Sequence, residues 1–95
     1  MKSPSIIAAI EESDSARGWI FRCHLGDAGE SIVRLDWADY GHWCPGGDIA
    51  PSLIAESVIR VMLEHGVTVP PDFDAGRARH VVPNVDERIT NLIRR

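Results

Sequence analysis

Two stretches of the chain alternate between apolar and polar residues, the pattern of strands that bury one face. The first runs from Trp19 to Leu25 and the second from Ser31 to Trp37. The apolar positions are Trp19, Phe21, Cys23 and Leu25 in the first stretch, and Val33, Leu35 and Trp37 in the second. The pattern predicts two neighbouring strands that share one apolar face.

The segment between these stretches predicts how the strands pair. A three-residue loop over 27–29 would place Gly29 at its third position, where a left-handed backbone is required. The apolar pairs are then Trp19 with Trp37, Phe21 with Leu35, and Cys23 with Val33. The same register sets Arg22 opposite Arg34 on the outer face. Either acids such as Asp36 neutralise these two charges, or the pair binds an anionic group.

Proline and glycine divide the rest of the chain. The apolar residues 6–10 predict a short strand, and the polar residues 12–15 a turn. Residues 38–50 contain three glycines and one proline and predict a loop. Pro51 suits the first position of a helix that ends near Gly66. The buried face of this helix is predicted to hold Ile54, Val58, Val61 and Met62.

The C-terminal part predicts only short elements. Pro70 and Pro71 require an extended link. Asp74 is placed to cap a helical turn over 75–80, and Asp86 to cap a last short helix. The predicted fold class is α+β: a three-stranded antiparallel meander packed by one main helix, with short C-terminal helices.

Length and composition fit a single domain over residues 1–95. The chain is 44% apolar and 25% charged, ordinary values for a globular domain. Its apolar runs are far shorter than the ~20 residues of a membrane helix. The first apolar stretch is too short for a signal peptide and is followed by Glu11 and Glu12. We therefore expect a cytoplasmic protein without a membrane partner.

The order of these elements resembles a known group of proteins. A tryptophan opens an alternating strand at Trp19, a second strand follows, and Pro51 starts the helix; Phe73-Asp74 and then Pro83 come after it. Over roughly residues 18–90, this order resembles a group of small bacterial and archaeal proteins, mostly uncharacterised. The chain departs from that group in the loop containing its cysteine and histidine. The resemblance implies a compact α+β fold and no activity, cofactor or catalytic residue.

Cysteine and histidine residues are the candidates for a metal site. Cys23 and His24 end one predicted strand, whereas His42 and Cys44 lie in the predicted loop with Asp39. Two Cys and two His match the ligands of a structural zinc site in number. Neighbouring residues on a strand point to opposite faces, however, so the first two cannot reach one ion together. The sequence therefore predicts no metal or other cofactor, and leaves the three loop residues as candidates.

Cys44 is also the candidate nucleophile of a thiol enzyme. A reactive cysteine needs a neighbouring base or a helix start that lowers its pKa. His42 is near in sequence, but the predicted helix begins several residues after Cys44, and no third group supports the pair. A loop thiol without chemistry is the simpler interpretation.

The aromatic residues Trp37, Tyr40 and Trp43 recur through the predicted loop. One interpretation is that they close the edge of a small core; the other is that they form a binding surface with Arg22 and Arg34. Trp37 and the strand residues already furnish a core. Tyr40 and Trp43 are therefore predicted to stay partly exposed, as part of a protein-binding patch or a dimer interface.

These observations predict a small intracellular, non-enzymatic binding or accessory domain. Its partner would be another protein or a second copy of the chain, because a short sheet leaves open edges. The alternative is a small metal-dependent or thiol enzyme that uses the loop of His42 and Cys44. Nucleic-acid binding through Arg22, Arg34 and the C-terminal arginines is disfavoured by the net charge of −4.

Overall fold

The sheet has four strands in a computed structural model that describes residues 9–26 and 29–94. In spatial order they are β1 (Ala9–Ser15), β2 (Gly18–His24), β3 (Glu30–Asp36) and β4 (Asp72–Asp74). The first three form an antiparallel meander, and β4 pairs in parallel with β3. The fold is thus mixed α and β with a mostly antiparallel sheet. The alternation pattern missed β4 because its three residues are too few to show a period.

The predicted register of β2 and β3 is wrong, although the inward faces are right. Trp19 pairs with Leu35, Phe21 with Val33, and Cys23 with Ser31. The loop begins one residue earlier than predicted: the Leu25 amide donates to the Gly29 carbonyl at 2.7 Å. Gly26 adopts φ 64° and Gly29 φ 90°, so both glycines serve the turn. The prediction placed the loop from Gly29 alone and therefore paired the wrong residues of β2 and β3.

The first strand also differs from its prediction. β1 includes residues 12–15, where a turn was predicted, while residues 6–8 lie outside the described residues. Polar side chains suit β1 because it lies at the edge of the sheet, and Glu11, Glu12 and Asp14 are exposed. The turn lies after Ser15 and leads into Gly18, where a Cβ atom would stand 2.0 Å from the Leu35 carbonyl oxygen. Only glycine permits that close approach.

The main helix, α2 (Pro51–Glu64), confirms the prediction from helical spacing. Its buried face includes the four predicted residues, Ile54, Val58, Val61 and Met62. At its end, the amides of Gly66 and Val67 donate to the carbonyls of Leu63 and Met62 at 3.0 and 2.9 Å. This is a Schellman motif, which requires the positive φ of 78° at Gly66.

Two predicted caps are not made as side-chain hydrogen bonds. A 3₁₀ helix (Ala75–His80) follows Asp74 as expected, but the Asp74 carboxylate does not cap it. Asn84 occupies the N-cap position of helix α3 (Val85–Ile93) without a side-chain cap hydrogen bond. Asp86 therefore lies in the first turn of the helix, and its carboxylate accepts a hydrogen bond from Trp43 instead. No helix in the described part of the chain is long and apolar enough to cross a membrane.

Residues 38–50 are not all loop, because a third helix, α1 (Trp37–Trp43), begins directly after β3. Residues 37 and 43 lie about 120° apart around a helix axis, so both rings cannot face one core. Trp43 takes the inner position and is 1% exposed, whereas Trp37 is 59% exposed. The predictions of a buried Trp37 and a partly exposed Trp43 are both wrong. Tyr40 is half-buried, with its ring edge against Trp19 at 5.2 Å between centroids.

Candidate functional site

Trp43 is the centre of a cluster that ties α1 to the C-terminal elements. Its indole Nε1 donates to Asp86 Oδ1 at 2.6 Å, and the guanidinium of Arg79 lies 4.9 Å from its ring centroid. Arg79 also donates to Asp39 at 2.8 Å and to Asp86 at 2.9 Å. Every polar group of the cluster therefore has a partner within the chain. This arrangement makes Trp43 part of the core rather than of an interface.

The charges of this cluster are stabilised by one another. Burial would raise the pKa of Asp86, but the hydrogen bonds from Trp43 and Arg79 lower it below the ordinary value. Burial likewise opposes the charge of Arg79, whereas its bonds to Asp39 and Asp86 raise the pKa of the guanidinium. His42 Nε2 lies 3.4 Å from the second oxygen of Asp86. The contacts between Asp86 and Arg79 thus favour the charged form of both side chains.

Cys44 and His42 have different partners, so the structure does not assemble the candidate thiol site. Cys44 is 1% exposed, and its Sγ donates to Asp48 Oδ1 at 3.4 Å. That hydrogen bond lowers the pKa of Asp48, which also pairs with Arg94 at 3.3 Å. In the same segment, Tyr40 donates its hydroxyl to the Ile49 carbonyl at 2.5 Å.

The cysteine–histidine candidates for a metal site are also separated. Cys23 is buried on the inner face, where burial first and the charge of Glu56 second raise the pKa of its thiol to about 11. His24 lies on the outer face, as strand alternation predicts. Asp39 pairs with Arg79 at 2.8 Å. Within residues 9–26 and 29–94, no three His, Cys, Asp or Glu side chains converge to hold a metal ion.

Arg22 and Arg34 do not face each other, which corrects the predicted pair. Each is opposite an isoleucine and has an acidic partner of its own. Arg22 lies 3.6 Å from Glu30, and Arg34 donates to Asp72 at 2.8 Å. The acids that neutralise them are therefore Glu30 and Asp72 rather than the predicted Asp36. Parallel pairing of β4 with β3 is what brings Asp72 beside Arg34.

His24 lies between two carboxylates on the outer face of the sheet. Its Nε2 is 2.7 Å from Glu11 and its Nδ1 is 3.0 Å from Glu30. Carboxylates only accept hydrogen bonds, so a doubly protonated, cationic imidazole is the form that satisfies both contacts. The hydrogen bond to Glu11 raises the pKa of His24, while slight desolvation and the nearby Arg22 oppose it. The same bond lowers the pKa of Glu11.

This contact predicts a pH dependence of stability with a definite sign. The contribution of His24 is complete below its ordinary pKa of 6.5 and is lost as the pH rises through its raised value. On the acid side, the contribution of Glu11 is present above its ordinary pKa of 4.5 and is lost as the pH falls through its lowered value. We expect an NMR titration of the His24 ring to give a pKa above 6.5.

The Glu11→Gln variant provides the control for this titration. Removing the charge should bring the pKa of His24 closer to its ordinary value and flatten the change in melting temperature between about pH 6 and pH 9. Equal His24 titrations in the two proteins would contradict the contact.

Trp37 differs from the other aromatic residues because most of its ring is exposed. Its backbone is held firmly: the Trp37 amide donates to the Arg17 carbonyl at 2.8 Å. The neighbouring Asp36 carboxylate pairs with the Arg17 guanidinium at 3.2 Å. A depression of about 360 Å³ at this end of the sheet is lined by Arg17, Ile20, Arg34 and Asp36, among others. The exposed Trp37 thus follows directly in the chain on Asp36, which lines this shallow, mixed surface.

No relative assigns a role to these groups. Comparisons of the chain with protein-family models, with curated proteins and with solved structures found no match.

Proposed function

We propose that this chain is a non-enzymatic binding domain that docks a different protein through Trp37. The observation that carries the proposal is that Trp37 is 59% exposed. Its indole is the largest side chain among the exposed apolar residues of the described ranges. Tryptophan is among the residues most enriched at energetic centres of protein interfaces. Burying the ring in a partner would remove a large apolar area from water.

The rigid setting of Trp37 supports this role. A side chain on a fixed backbone loses less conformational freedom on binding than one on a loose loop. The amide bond to Arg17 and the adjoining ion pair of Arg17 with Asp36 provide that fixed backbone. Trp37 is therefore preorganised as an anchor.

The surface beside Trp37 has the composition of an interface rim. Ile20 contributes apolar area, while Arg17 and Arg34 contribute charges that are already paired within the chain. Each of these arginines already has an acidic partner, so a protein that covers the rim does not bury a charge without its counterion. We therefore include Arg34 in the binding surface and exclude Trp43, which is buried.

A different protein fits better than a second copy of the chain. Within the described ranges β1 is an edge strand that carries Glu11, Glu12 and Asp14, and two such edges would repel each other. At the other side of the sheet, β4 has only three residues and follows Pro70 and Pro71. Short strands and prolines are common protections against pairing of sheet edges.

The thiol or metal enzyme has less support. Its proposed nucleophile, Cys44, is buried and bonded to Asp48, and His42 contacts Asp86 instead. A nucleophile and its base are expected within hydrogen-bond reach of each other.

Site-specific cross-linking tests the proposal. A photoreactive amino acid at position 37 of the full chain, expressed in its native cell, should give one discrete adduct with another protein. The same group at Glu87, an exposed residue of α3, is the control and should not give that adduct. The proposal fails if position 37 gives no adduct, or only the adduct seen from position 87. An adduct between two copies of the chain would favour the dimer instead.

The Trp37→Ala variant then measures the contribution of the ring. We expect the affinity for the cross-linked protein to fall by at least about tenfold, the loss typical of an interface anchor. The melting temperature should change little, because an exposed ring contributes within about 0.5 kcal/mol to folding. An unchanged affinity in a purified binding assay would contradict the role of Trp37.

A further inference from the structure

A separate cleft of about 490 Å³ lies between the C-terminal end of α2, strand β4 and the 3₁₀ helix. This volume is within the range of small-molecule sites in proteins. The nearly buried Met62 and Phe73 contribute apolar area to the cleft, together with the half-buried Val67. Val81, also in the cleft, is 46% exposed. The cleft thus presents apolar area that the described chain leaves uncovered.

One wall of the cleft is a row of polar side chains that begins at the end of β4 and continues on the 3₁₀ helix. Asp74 is the last residue of β4, and Arg77 and His80 follow it at the three-residue spacing of a 3₁₀ turn. The small residues Ala75 and Ala78 are buried toward the core. All three polar residues of the row line the cleft.

The charges of this wall are divided between its two ends. At the β4 end, the carboxylates of Asp72 and Asp74 lie near Arg34, which donates to Asp72 at 2.8 Å and is 4.0 Å from Asp74. At the other end, no carboxylate of the described residues forms an ion pair with Arg77 or His80. The acids of the cleft therefore have a cation, whereas the donors at the far end lack an anion.

We propose that this cleft binds a small organic carboxylate with an apolar body. The carboxylate accepts hydrogen bonds from Arg77 and His80, a charge-assisted contact that suits a guanidinium. The apolar body covers Val67, Val81 and the area left open around Phe73. Arg34 borders both this cleft and the surface proposed for the protein partner, but the contacts proposed for the carboxylate do not involve Trp37.

A titration of the full chain with octanoate tests the site. Methyl NMR signals of Met62, Val67 and Val81 should shift in a saturable manner. Octan-1-ol and octylammonium carry the same apolar body without the carboxylate, and we expect each to bind about tenfold more weakly. Absent or non-saturable shifts would overturn the proposal, and so would equal binding of the three probes.

Matched arginine variants separate this contact from general attraction. Arg77→Gln should weaken octanoate binding by about tenfold and leave the melting temperature unchanged, because the side chain is exposed. Arg88→Gln removes an equal charge from α3 outside the cleft and should leave octanoate binding unchanged. Equal losses in both variants would refute a specific carboxylate site. Trp37→Ala should bind octanoate normally, so failure of either proposal is seen separately.

Discussion

Val58→Asp is expected to destabilise the protein severely. Val58 is fully buried in α2, within the core formed with the sheet. A carboxylate there loses its hydration and would have to stay protonated or open the core to water. We expect a loss of at least about 4 kcal/mol from a total stability of about 5–15 kcal/mol. Circular dichroism and thermal melting would measure it.

Two variants of the same helix isolate the cause. Val58→Ala leaves a small cavity and should cost about 2 kcal/mol, with a cooperative transition retained. Leu53→Asp places the same charge at an exposed position in the first turn and should change stability by less than about 1 kcal/mol. A Val58→Asp protein that melts at the wild-type temperature would contradict the burial of this helix face.

Trp43→Ala is expected to have the next largest effect. The substitution removes a buried indole from the core and leaves Asp86 without its indole donor. Loss of a large buried ring costs about 3–5 kcal/mol. For a domain of this size, that corresponds to a fall in melting temperature of roughly 15–30 °C.

Trp43→Phe distinguishes the ring from its hydrogen bond. Phenylalanine keeps most of the apolar area but cannot donate to Asp86, which still has Arg79. We expect an intermediate loss of about 1–2 kcal/mol. Trp37→Ala is the matched control, because it removes an indole from the opposite end of the same helix where the ring is exposed. Similar losses in Trp43→Ala and Trp37→Ala would contradict the arrangement of α1.

Helix α2 shows how much local pattern predicts. Pro51 at the start, Gly66 at the end and the spacing of Ile54, Val58, Val61 and Met62 were sufficient to predict both its limits and its buried face. These signals are local: each depends on backbone conformation within a turn or on the 3.6-residue period. The inward faces of β2 and β3 were predictable for the same reason.

The aromatic residues of α1 show where local pattern was insufficient. Glycine and proline between 38 and 50 suggested a loop, so Trp37 was assigned to the strand before it. Its exposure and the burial of Trp43 follow from how α1 packs against α3 and contacts Arg79 of the 3₁₀ helix. The partners of Trp43, Asp86 and Arg79, lie some forty residues away in the chain. No spacing within the α1 segment indicates them.

The candidate sites differ in the same respect. Trp37 was in the predicted binding set because aromatic residues recur at 37, 40 and 43, although its ring was expected in the core; the structure exposes it. Asp74, Arg77 and His80 are spaced three residues apart in the sequence. They line one cleft because a 3₁₀ helix follows β4 there and because α2 and β4 form the other walls.

The sequence by itself determined the α+β class, the limits of α2 and the side of β2 and β3 that faces the core. Those features depend on period and on backbone preferences of single residues. Tertiary structure decided the register of β2 with β3, the parallel addition of β4 and which tryptophan is buried. Each of these is a choice between arrangements with the same local pattern, and contacts between distant segments select among them. The sites depend on the same contacts, because a cleft or an exposed anchor is defined by what other elements leave uncovered.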